Sequence, residues 1–395
     1  MSEKAAIYLD ANAGAPLKSC VVEALLSFLK STPALIPNPS SIHIQGRKAK
    51  RALAEARERV ARSLGPKVDP EQLVFTSSGS EANQMAIRSA LETLLKKGSK
   101  PHWITTPVEH DSNRQMVSWV ESQGGSVSFL PVDQHGLPQV MSLPELIRSD
   151  TALISALWVN NETGAITDVA KLAEISTTHG IPLHIDGAQA WGKLPIDLHQ
   201  LKAQWVTFSG HKIGALAGAG VLWVGRGTPV VATLLGKQEK GRRGGTENLF
   251  GIISMGMAAT TLDPIGWAQR VTPIRDRLEM AICERISGTC VNSQGAPRIP
   301  NTLNLSFSGI EGDGLVMALD LAGYCVSSGS ACASGVLEPS HVLMAMGRTK
   351  LQAMAAIRIS LADEMPWENL EGFVTALEKV VNRVRGARTE VRPEQ

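Results

Sequence analysis

The chain has 395 residues, of which 43% are hydrophobic and 19% are charged. At about 150 residues per domain, this length fits two or three domains, or one large α/β domain with a smaller one. The composition excludes a disordered chain, a collagen and a small disulfide scaffold. A net charge of +2, from 39 Lys and Arg against 37 Asp and Glu, also disfavours a dedicated nucleic-acid binder.

The five cysteines stand at positions 20, 283, 290, 325 and 332 and include no C-x-x-C pair. Their odd number and their spacing disfavour a disulfide framework and a zinc site, so we predict no bound metal. The N-terminus lacks the apolar stretch of a signal peptide, and no run approaches the roughly 18 apolar residues of a membrane span. We therefore expect a cytoplasmic protein with reduced thiols and with no membrane or nucleic-acid partner.

The first strong pattern is an amphipathic helix over 41–64, which Gly65 and Pro66 end. After it, short apolar runs alternate with helical patterns. Helices are predicted over 80–97, 111–123, 142–148 and 168–179. Strands are predicted at 73–76, 103–106, 126–131, 153–159, 183–185, 205–208 and 221–224. Runs that are apolar throughout and alternate with helices indicate an α/β domain with a mostly parallel, seven-stranded sheet covered on both faces.

The region after residue 262 has a different pattern. Its predicted elements are helices near 267–287, 312–322 and 367–385, strands at 301–307 and 357–360, and a Ser- and Gly-rich loop at 327–335. This order is typical of a smaller α+β domain. We predict that residues 14–262 form the large domain, and that residues 1–13 and 263–395 form the small one.

Polar or ionisable residues follow several predicted strands at the point where each strand ends. Because ligands of an open α/β sheet bind beyond the carboxyl ends of its strands, these residues predict a single cleft. The residues concerned are Gly79 and Ser80, Glu109 and His110, Asn161, Asp186 and Gln189, and Ser209, His211 and Lys212.

Four of these residues, which follow three of the strands, together indicate pyridoxal phosphate. Gly79 and Ser80 open a helix, where backbone amides bind phosphate, although a plain N-cap has the same pattern. Lys212 follows a buried strand, where desolvation lowers the pKa of an amine and makes it nucleophilic, although most lysines lie on the surface. Asp186 closes an apolar strand and needs a cationic partner, such as a pyridinium nitrogen.

Four segments then resemble the cysteine desulfurases of the nitrogen-fixation and iron–sulfur-cluster type. They are Asp186-Gly187-Ala188-Gln189, Ser209-Gly210-His211-Lys212, Gly241-Arg242-Arg243-Gly244-Gly245-Thr246-Glu247-Asn248 and Ser327-Ser328-Gly329-Ser330-Ala331-Cys332. That family consists of pyridoxal-phosphate enzymes with the class V aminotransferase fold, which is fold type I. The resemblance extends from Tyr8 to Ser360.

The resemblance implies a role for each cofactor-binding residue. Lys212 resembles the lysine that is joined covalently to the cofactor, and Asp186 the partner of its ring nitrogen. Gln189 is similar to the residue that binds the ring hydroxyl, and His110 to the histidine that stacks on the ring and can carry a proton. The implied phosphate ligands are Ser80, Ser209 and His211, with Gly79 giving access to the backbone, and Thr246 of a second subunit, which implies a homodimer.

The resemblance also implies the substrate and the product. Asn161, beside the cofactor, and Arg358 resemble contacts to the substrate carboxylate, with Asn38 as a neighbour. Cys332 resembles the cysteine that takes sulfur from L-cysteine as a persulfide, leaving L-alanine. The implied next acceptor is a protein that builds iron–sulfur clusters, in either a housekeeping or a nitrogenase-dedicated role.

Two alternatives stay open: a selenocysteine lyase or another class V enzyme, and a catalytically silent sulfur-relay scaffold. The chain also departs from the family pattern at three positions. Gly14 stands where the family has Thr, and Lys237 and Lys240 stand where Gly and Arg are expected. None of these changes affects a residue predicted to do covalent chemistry.

Overall fold

A computed structural model describes residues 6–31, 37–310, 313–328 and 338–389. The strands are β1 (Ile7–Tyr8), β2 (Leu73–Thr76), β3 (His102–Thr105), β4 (Ser126–Phe129), β5 (Thr151–Leu157), β6 (Leu183–Asp186), β7 (Trp205–Ser209), β8 (Gly220–Val224), β9 (Thr289–Val291), β10 (Thr302–Phe307), β11 (Tyr324–Cys325), β12 (Ser327–Ser328) and β13 (Ala356–Ser360). The helices are α1 (Ser19–Ser31), α2 (Ile44–Ser63), α3 (Gly79–Lys96), α4 (Asp111–Ser122), α5 (Leu143–Leu146), α6 (Val169–His179), α7 (Leu249–Ala259), α8 (Pro264–Arg285), α9 (Asp313–Leu321), α10 (His341–Ala345), α11 (Lys350–Met354) and α12 (Trp367–Thr389).

Strands β2 to β8 form one sheet of seven strands in the order β2-β8-β7-β6-β5-β3-β4. Only β8 runs against its neighbours β2 and β7, so the sheet is mostly parallel, which confirms the predicted fold class. Strands β7 and β8 are buried along their whole length, because helices cover both faces of the sheet. This burial explains why their sequences are apolar throughout and do not alternate.

Helix α2 packs on one face of the sheet against α7. Its N-cap is His43, whose Nδ1 accepts a hydrogen bond from the Gly46 amide at 3.2 Å. Its predicted apolar face is buried, and a Cβ on Gly256 of α7 would lie 2.7 Å from the Cα of Ala56. The two helices therefore cross so closely that the contact needs a glycine.

Helices α3 and α4 cover the opposite face, where Met85 and Val120 pack around Trp103 of β3. The predicted helix over 142–148 is wrong in extent. The chain forms a 3-10 turn at Val140–Ser142 and the short helix α5, in which Pro144 stands at a first-turn position. Proline is tolerated there, but α5 ends after four residues at Leu146.

A second core lies around the antiparallel sheet β12-β13-β10-β9 and the helices α8, α9 and α12. The N-terminal strand β1 pairs in parallel with β11, and the fully buried Leu9 packs into this core. Asp10 then bridges to Ser360 of β13. The N-terminus therefore packs with elements more than 300 residues away, while the division at residues 13 and 262 stays a prediction.

Within the described ranges, no single helix is long and apolar enough to cross a membrane. Helices α7 and α8 together have the length and composition of a membrane span, but the chain bends by 78° between them.

Candidate active site

A cavity of about 310 Å³ lies at the carboxyl ends of the parallel strands. It brings together most of the residues that the sequence predicted for one cleft. The predicted residues that line it are Gly79, Ser80, His110, Asn161, Asp186, Gln189, Ser209, His211, Lys212 and Arg358. Asn38 and Thr246 are not among its lining residues, and Cys332 lies outside the described residues.

The turn between β2 and α3 forms an anion-binding corner of the cavity. Helix α3 begins at Gly79, and the side chain of Ser78 caps the amide of Glu81 at 3.2 Å. The first-turn amides of a helix have no intrahelical acceptor, so those of Gly79 and Ser80 remain for a ligand at the positive end of the helix dipole. A Cβ on Gly79 would lie 3.2 Å from the Cβ of Ser209. Glycine therefore allows the turn to approach the end of β7.

Ser209 and His211 extend the same corner. The Oγ of Ser209 lies 3.0 Å from the Nδ1 of His211. Burial lowers the pKa of His211 to about 4, with Lys212 and His110 as further causes. The imidazole is therefore neutral near pH 7 and can donate one hydrogen bond to an anion.

Asp186 ends β6 and is 3% exposed. Its carboxylate accepts hydrogen bonds from the Nδ2 of Asn83 at 2.6 Å and from the Ala188 amide at 3.0 Å. Among the described residues it has no ion-pair partner. A buried carboxylate without a cation is costly, so the cavity has a negative group that fits the protonated nitrogen of a pyridine ring.

The amine of Lys212 enters the cavity from the turn after β7. Its Nζ donates to the backbone oxygens of Asn12 at 2.6 Å and Ala13 at 2.9 Å. Burial and, to a smaller extent, the charge of Arg358 lower the pKa of Lys212 to about 8, while Asp10 and Asp186 act in the opposite direction. Its neutral, nucleophilic form is therefore accessible close to neutral pH.

His110 is the N-cap of α4. Its Nδ1 accepts from the Ser112 amide at 3.1 Å and lies 2.8 Å from the Ser112 hydroxyl. The Nδ2 of Asn83 donates to that hydroxyl at 2.9 Å and also to Asp186. One asparagine, which the sequence analysis did not select, therefore links the histidine and the aspartate of the site.

Arg358 projects from β13 of the second core into the cavity. Its Nη2 pairs with the Oδ1 of Asp10 at 2.7 Å, and its Nη1 donates to the backbone oxygen of Asn161 at 3.0 Å. Its buried Nε has no hydrogen-bond partner among the described residues. A guanidinium held at two points with a donor left over is suited to a substrate carboxylate.

The sequence reasoning missed three residues: Asn12, which lines the cavity, and Asp10 and Lys193, which hold its lining residues. Asp10 holds Arg358 and also accepts from the Ser327 hydroxyl at 2.9 Å. Asn12 is 1% exposed, and its backbone and side chain contact both parts of the molecule. Lys193 carried one usable signal, since it is the only charged residue between Asp186 and Asp197.

Three predicted residues lie outside the cavity. Glu109 is buried, and its carboxylate accepts from Thr106 and Asn113. Thr246 is exposed and lines a separate depression together with Ser77 and Arg243. Asn38 is exposed, and its Oδ1 accepts from the Ser40 amide at 2.9 Å. Their predicted roles toward phosphate and substrate stay predictions. The described ranges hold no group of three or more His, Cys, Asp or Glu side chains arranged for a metal ion.

The sequence profile of the family "Aminotransferase class-V" matches residues 7–373, so the chain belongs to the class V aminotransferase family. It is an enzyme of a family that depends on pyridoxal phosphate. The anion-binding corner, the unpaired Asp186 and the low-pKa Lys212 all fit that cofactor.

Three known relatives are similar to this chain over most of its length. A cysteine desulfurase of Nostoc is 39% identical over 382 residues, which is 96% of this chain and 94% of the relative. A solved NifS-like protein is 30% identical, with a TM-score of 0.87 over 96% of this chain and all of its own. The solved structure of SspA in complex with cysteine is 31% identical, with a TM-score of 0.79 over 91% of this chain and all of its own.

Proposed function

We propose that this enzyme is a cysteine desulfurase, which removes sulfur from L-cysteine and releases L-alanine. The observation that carries the proposal is the joint placement of Lys212, Asp186 and Arg358 around one cavity. The likeness to a cysteine desulfurase and to a relative solved with cysteine supports the choice of substrate.

Six side chains of the cavity have a part in this chemistry. Pyridoxal phosphate, when bound, supplies a conjugated ring that accepts electrons from the substrate's Cα. Asp186 holds a proton at the ring nitrogen, and the corner at Ser80, Ser209 and His211 binds the phosphate. Arg358 binds the substrate carboxylate, and the neutral amine of Lys212 takes the proton from Cα.

Cys332 is the proposed sulfur acceptor. Its thiolate attacks the sulfur of the substrate, so that an S–S bond forms and the C–S bond breaks. The electron pair of the broken bond stays with Cβ, which is protonated to give alanine. The persulfide on Cys332 then passes its outer sulfur to a thiol of an acceptor protein, for which we propose an iron–sulfur scaffold.

The test is the release of alanine and sulfide from L-cysteine in the presence of dithiothreitol. Cys332→Ser should lose more than about 99% of both products, because a hydroxyl is a far weaker nucleophile than a thiolate near neutral pH. Its cofactor absorbance should stay that of the wild type. Cys290→Ser, which changes a half-buried cysteine of β9, is the matched control and should keep the activity. Normal turnover by Cys332→Ser would exclude the persulfide route, and a preference for selenocysteine would favour the lyase alternative.

We further propose that the enzyme works as a homodimer, in which Thr246 reaches the phosphate bound by the partner subunit. The exposure of Thr246 outside the cavity of its own chain supports this arrangement. Sedimentation should give a dimer, and Thr246→Ala should weaken cofactor binding while the dimer persists. Full cofactor occupancy in a monomer would contradict the proposal.

A cytoplasmic location, and the choice between housekeeping and nitrogenase-dedicated sulfur supply, stay predictions.

A further inference from the structure

Lys193 is a buried lysine next to the proposed cofactor site. It is 7% exposed and follows Gly192 in the turns after β6. Among the described residues no carboxylate forms an ion pair with it. Burial holds the pKa of its amine well below the ordinary value, and the neighbouring cations Lys212 and Arg358 lower it further. These surroundings favour the uncharged form of the amine.

The amine of Lys193 contacts two side-chain amides. Its Nζ donates to the Oδ1 of Asn12 at 2.8 Å and, in a short hydrogen bond, to the Oε1 of Gln189. A neutral amine has two N–H bonds, so these two acceptors use both of them. The contact therefore needs no positive charge on Lys193.

These two bonds determine which way each amide faces. Because the Oδ1 of Asn12 accepts from Lys193, the Nδ2 of the same amide donates to the backbone oxygen of Asn161 at 3.2 Å and to the Thr302 hydroxyl at 2.9 Å. Because the Oε1 of Gln189 accepts from Lys193, its Nε2 donates to the backbone oxygen of Asn12 at 2.9 Å. That same oxygen accepts from the Nζ of Lys212 at 2.6 Å.

We propose that Lys193 is a positioning residue, which holds the amide of Gln189 with its nitrogen toward the cofactor ring. Through Gln189 it also holds the backbone carbonyl of Asn12 beside the amine of Lys212. The amine of Lys193 satisfies the buried Oε1 of Gln189, which an apolar side chain would leave unpaired, and it shares the Oδ1 of Asn12 with the Nδ2 of Asn301. An unpaired buried acceptor is costly, and an amide released from Lys193 can turn its oxygen toward the cavity. The inference rests on the proposed place of the cofactor ring beside Gln189, and it does not depend on desulfurase activity.

The test measures how tightly the holoenzyme holds its cofactor, from the loss of cofactor absorbance on dilution. Lys193→Met keeps the length and the apolar part of the side chain and removes both donors. It should raise the dissociation constant of pyridoxal phosphate about tenfold, because losing one buried hydrogen bond commonly costs that factor. Lys171→Met, which removes a surface lysine paired with Glu174, is the control and should leave the constant within about twofold.

A double-mutant cycle separates positioning from a general loss of stability. Because Lys193 acts through Gln189, adding Lys193→Met to Gln189→Ala should weaken binding no further than Gln189→Ala alone. Should Lys193→Met fail to fold, the same cycle with Lys193→Leu, which also lacks both donors, replaces it. The proposal is overturned if the single variant binds cofactor like the wild type, or if the two losses multiply in the double variant. Cysteine takes no part in the measurement, so a failure of the desulfurase proposal would leave its result unchanged.

Discussion

The amine of Lys212 lies against two backbone oxygens, in a cavity whose other nearby cation is Arg358. Removing water from an amine disfavours its charged form, and a second positive group does so again. Lowering its pKa from 10.5 to about 8 raises the neutral fraction at pH 7 from roughly one in three thousand to roughly one in ten. The surroundings of Lys212 in the fold therefore make its amine nucleophilic close to neutral pH.

This difference can be measured in the cofactor-free protein. Competitive labelling of amines over a pH series, followed by peptide mass analysis, should give Lys212 a titration midpoint near pH 8. Lys171, at the surface beside Glu174, supplies an internal reference in the same sample. A midpoint for Lys212 equal to that of Lys171 would show that its amine is fully hydrated.

Arg358 supplies a second prediction at the residue scale. Its guanidinium donates at once to Asp10 and to the Asn161 carbonyl, which a lysine ammonium cannot reproduce in the same plane. Arg358→Lys should therefore raise the KM for L-cysteine about tenfold or more, while the absorbance of the bound cofactor stays unchanged. Arg148→Lys, a surface change beside Asp150, should leave KM unaltered. An unchanged KM in Arg358→Lys would place the substrate carboxylate elsewhere.

At the scale of elements, the anion-binding corner depends on how closely the β2–α3 turn lies on strand β8. A Cβ on Gly220, the first residue of β8, would lie 2.4 Å from the carbonyl carbon of Ser78 and 2.7 Å from the Gly79 amide nitrogen. Those atoms belong to backbone and cannot rotate away. The glycine is therefore what lets the turn aim its amides into the cavity.

Gly220→Ala should consequently do two kinds of damage. It should lower the free energy of unfolding by about 1–3 kcal/mol, as other overpacked sites do, and it should weaken cofactor binding by moving Ser78 and Gly79. Gly314→Ala in helix α9, where a Cβ meets nothing within 4 Å, is the matched control. That change should be neutral or should stabilise by up to about 1 kcal/mol. Denaturant unfolding and cofactor absorbance report the two effects, and equal behaviour of both variants would contradict the argument.

At the scale of the whole molecule, two buried acids lie where the loops after strands β3 and β5 meet the start of α10. Glu109 accepts from Thr106, Asn113 and the Leu157 amide, and its backbone oxygen lies 2.9 Å from the Nε2 of His341. Glu162 accepts from the hydroxyl of Ser340. Burial raises the pKa of each carboxyl from 4.5 to about 7.

These raised values predict how stability depends on pH. Between pH 4.5 and about 7 each acid holds a proton when folded and loses it when unfolded, so its contribution to stability falls as pH rises. The slope approaches about 1.4 kcal/mol per pH unit for each group and flattens above the folded pKa. Glu109→Gln and Glu162→Gln should each reduce the loss of unfolding free energy between pH 5 and pH 8. Glu145→Gln, at an exposed acid of α5, should not, and a wild-type slope in both buried variants would show that these carboxyls ionise freely.

The strands and the chemistry at their ends were predictable, because both are local properties of the chain. An apolar run such as 205–208 must be buried on both faces, and the residues directly after it, Ser209 to Lys212, must emerge at an edge of the sheet. Helix α5 was less predictable, since its end at Leu146 is not marked in the pattern that predicted 142–148. The roles of the site residues came from resemblance, and the geometry of one chain does not test Thr246, Asn38 or Cys332.

By itself, then, the sequence determined the α/β class, the positions of the strands in the chain and the reactive groups Lys212 and Asp186 at their ends. The tertiary structure alone decided which distant groups surround them. Asp10 meets Arg358 across 348 positions, and Lys193 meets Asn12 across 181. No periodicity connects such pairs, because they are brought together by the docking of the N-terminal segment between the two cores. Those contacts hold an arginine, an amide and a carbonyl in place. They depend on burial and distance in the folded chain, which local sequence patterns do not specify.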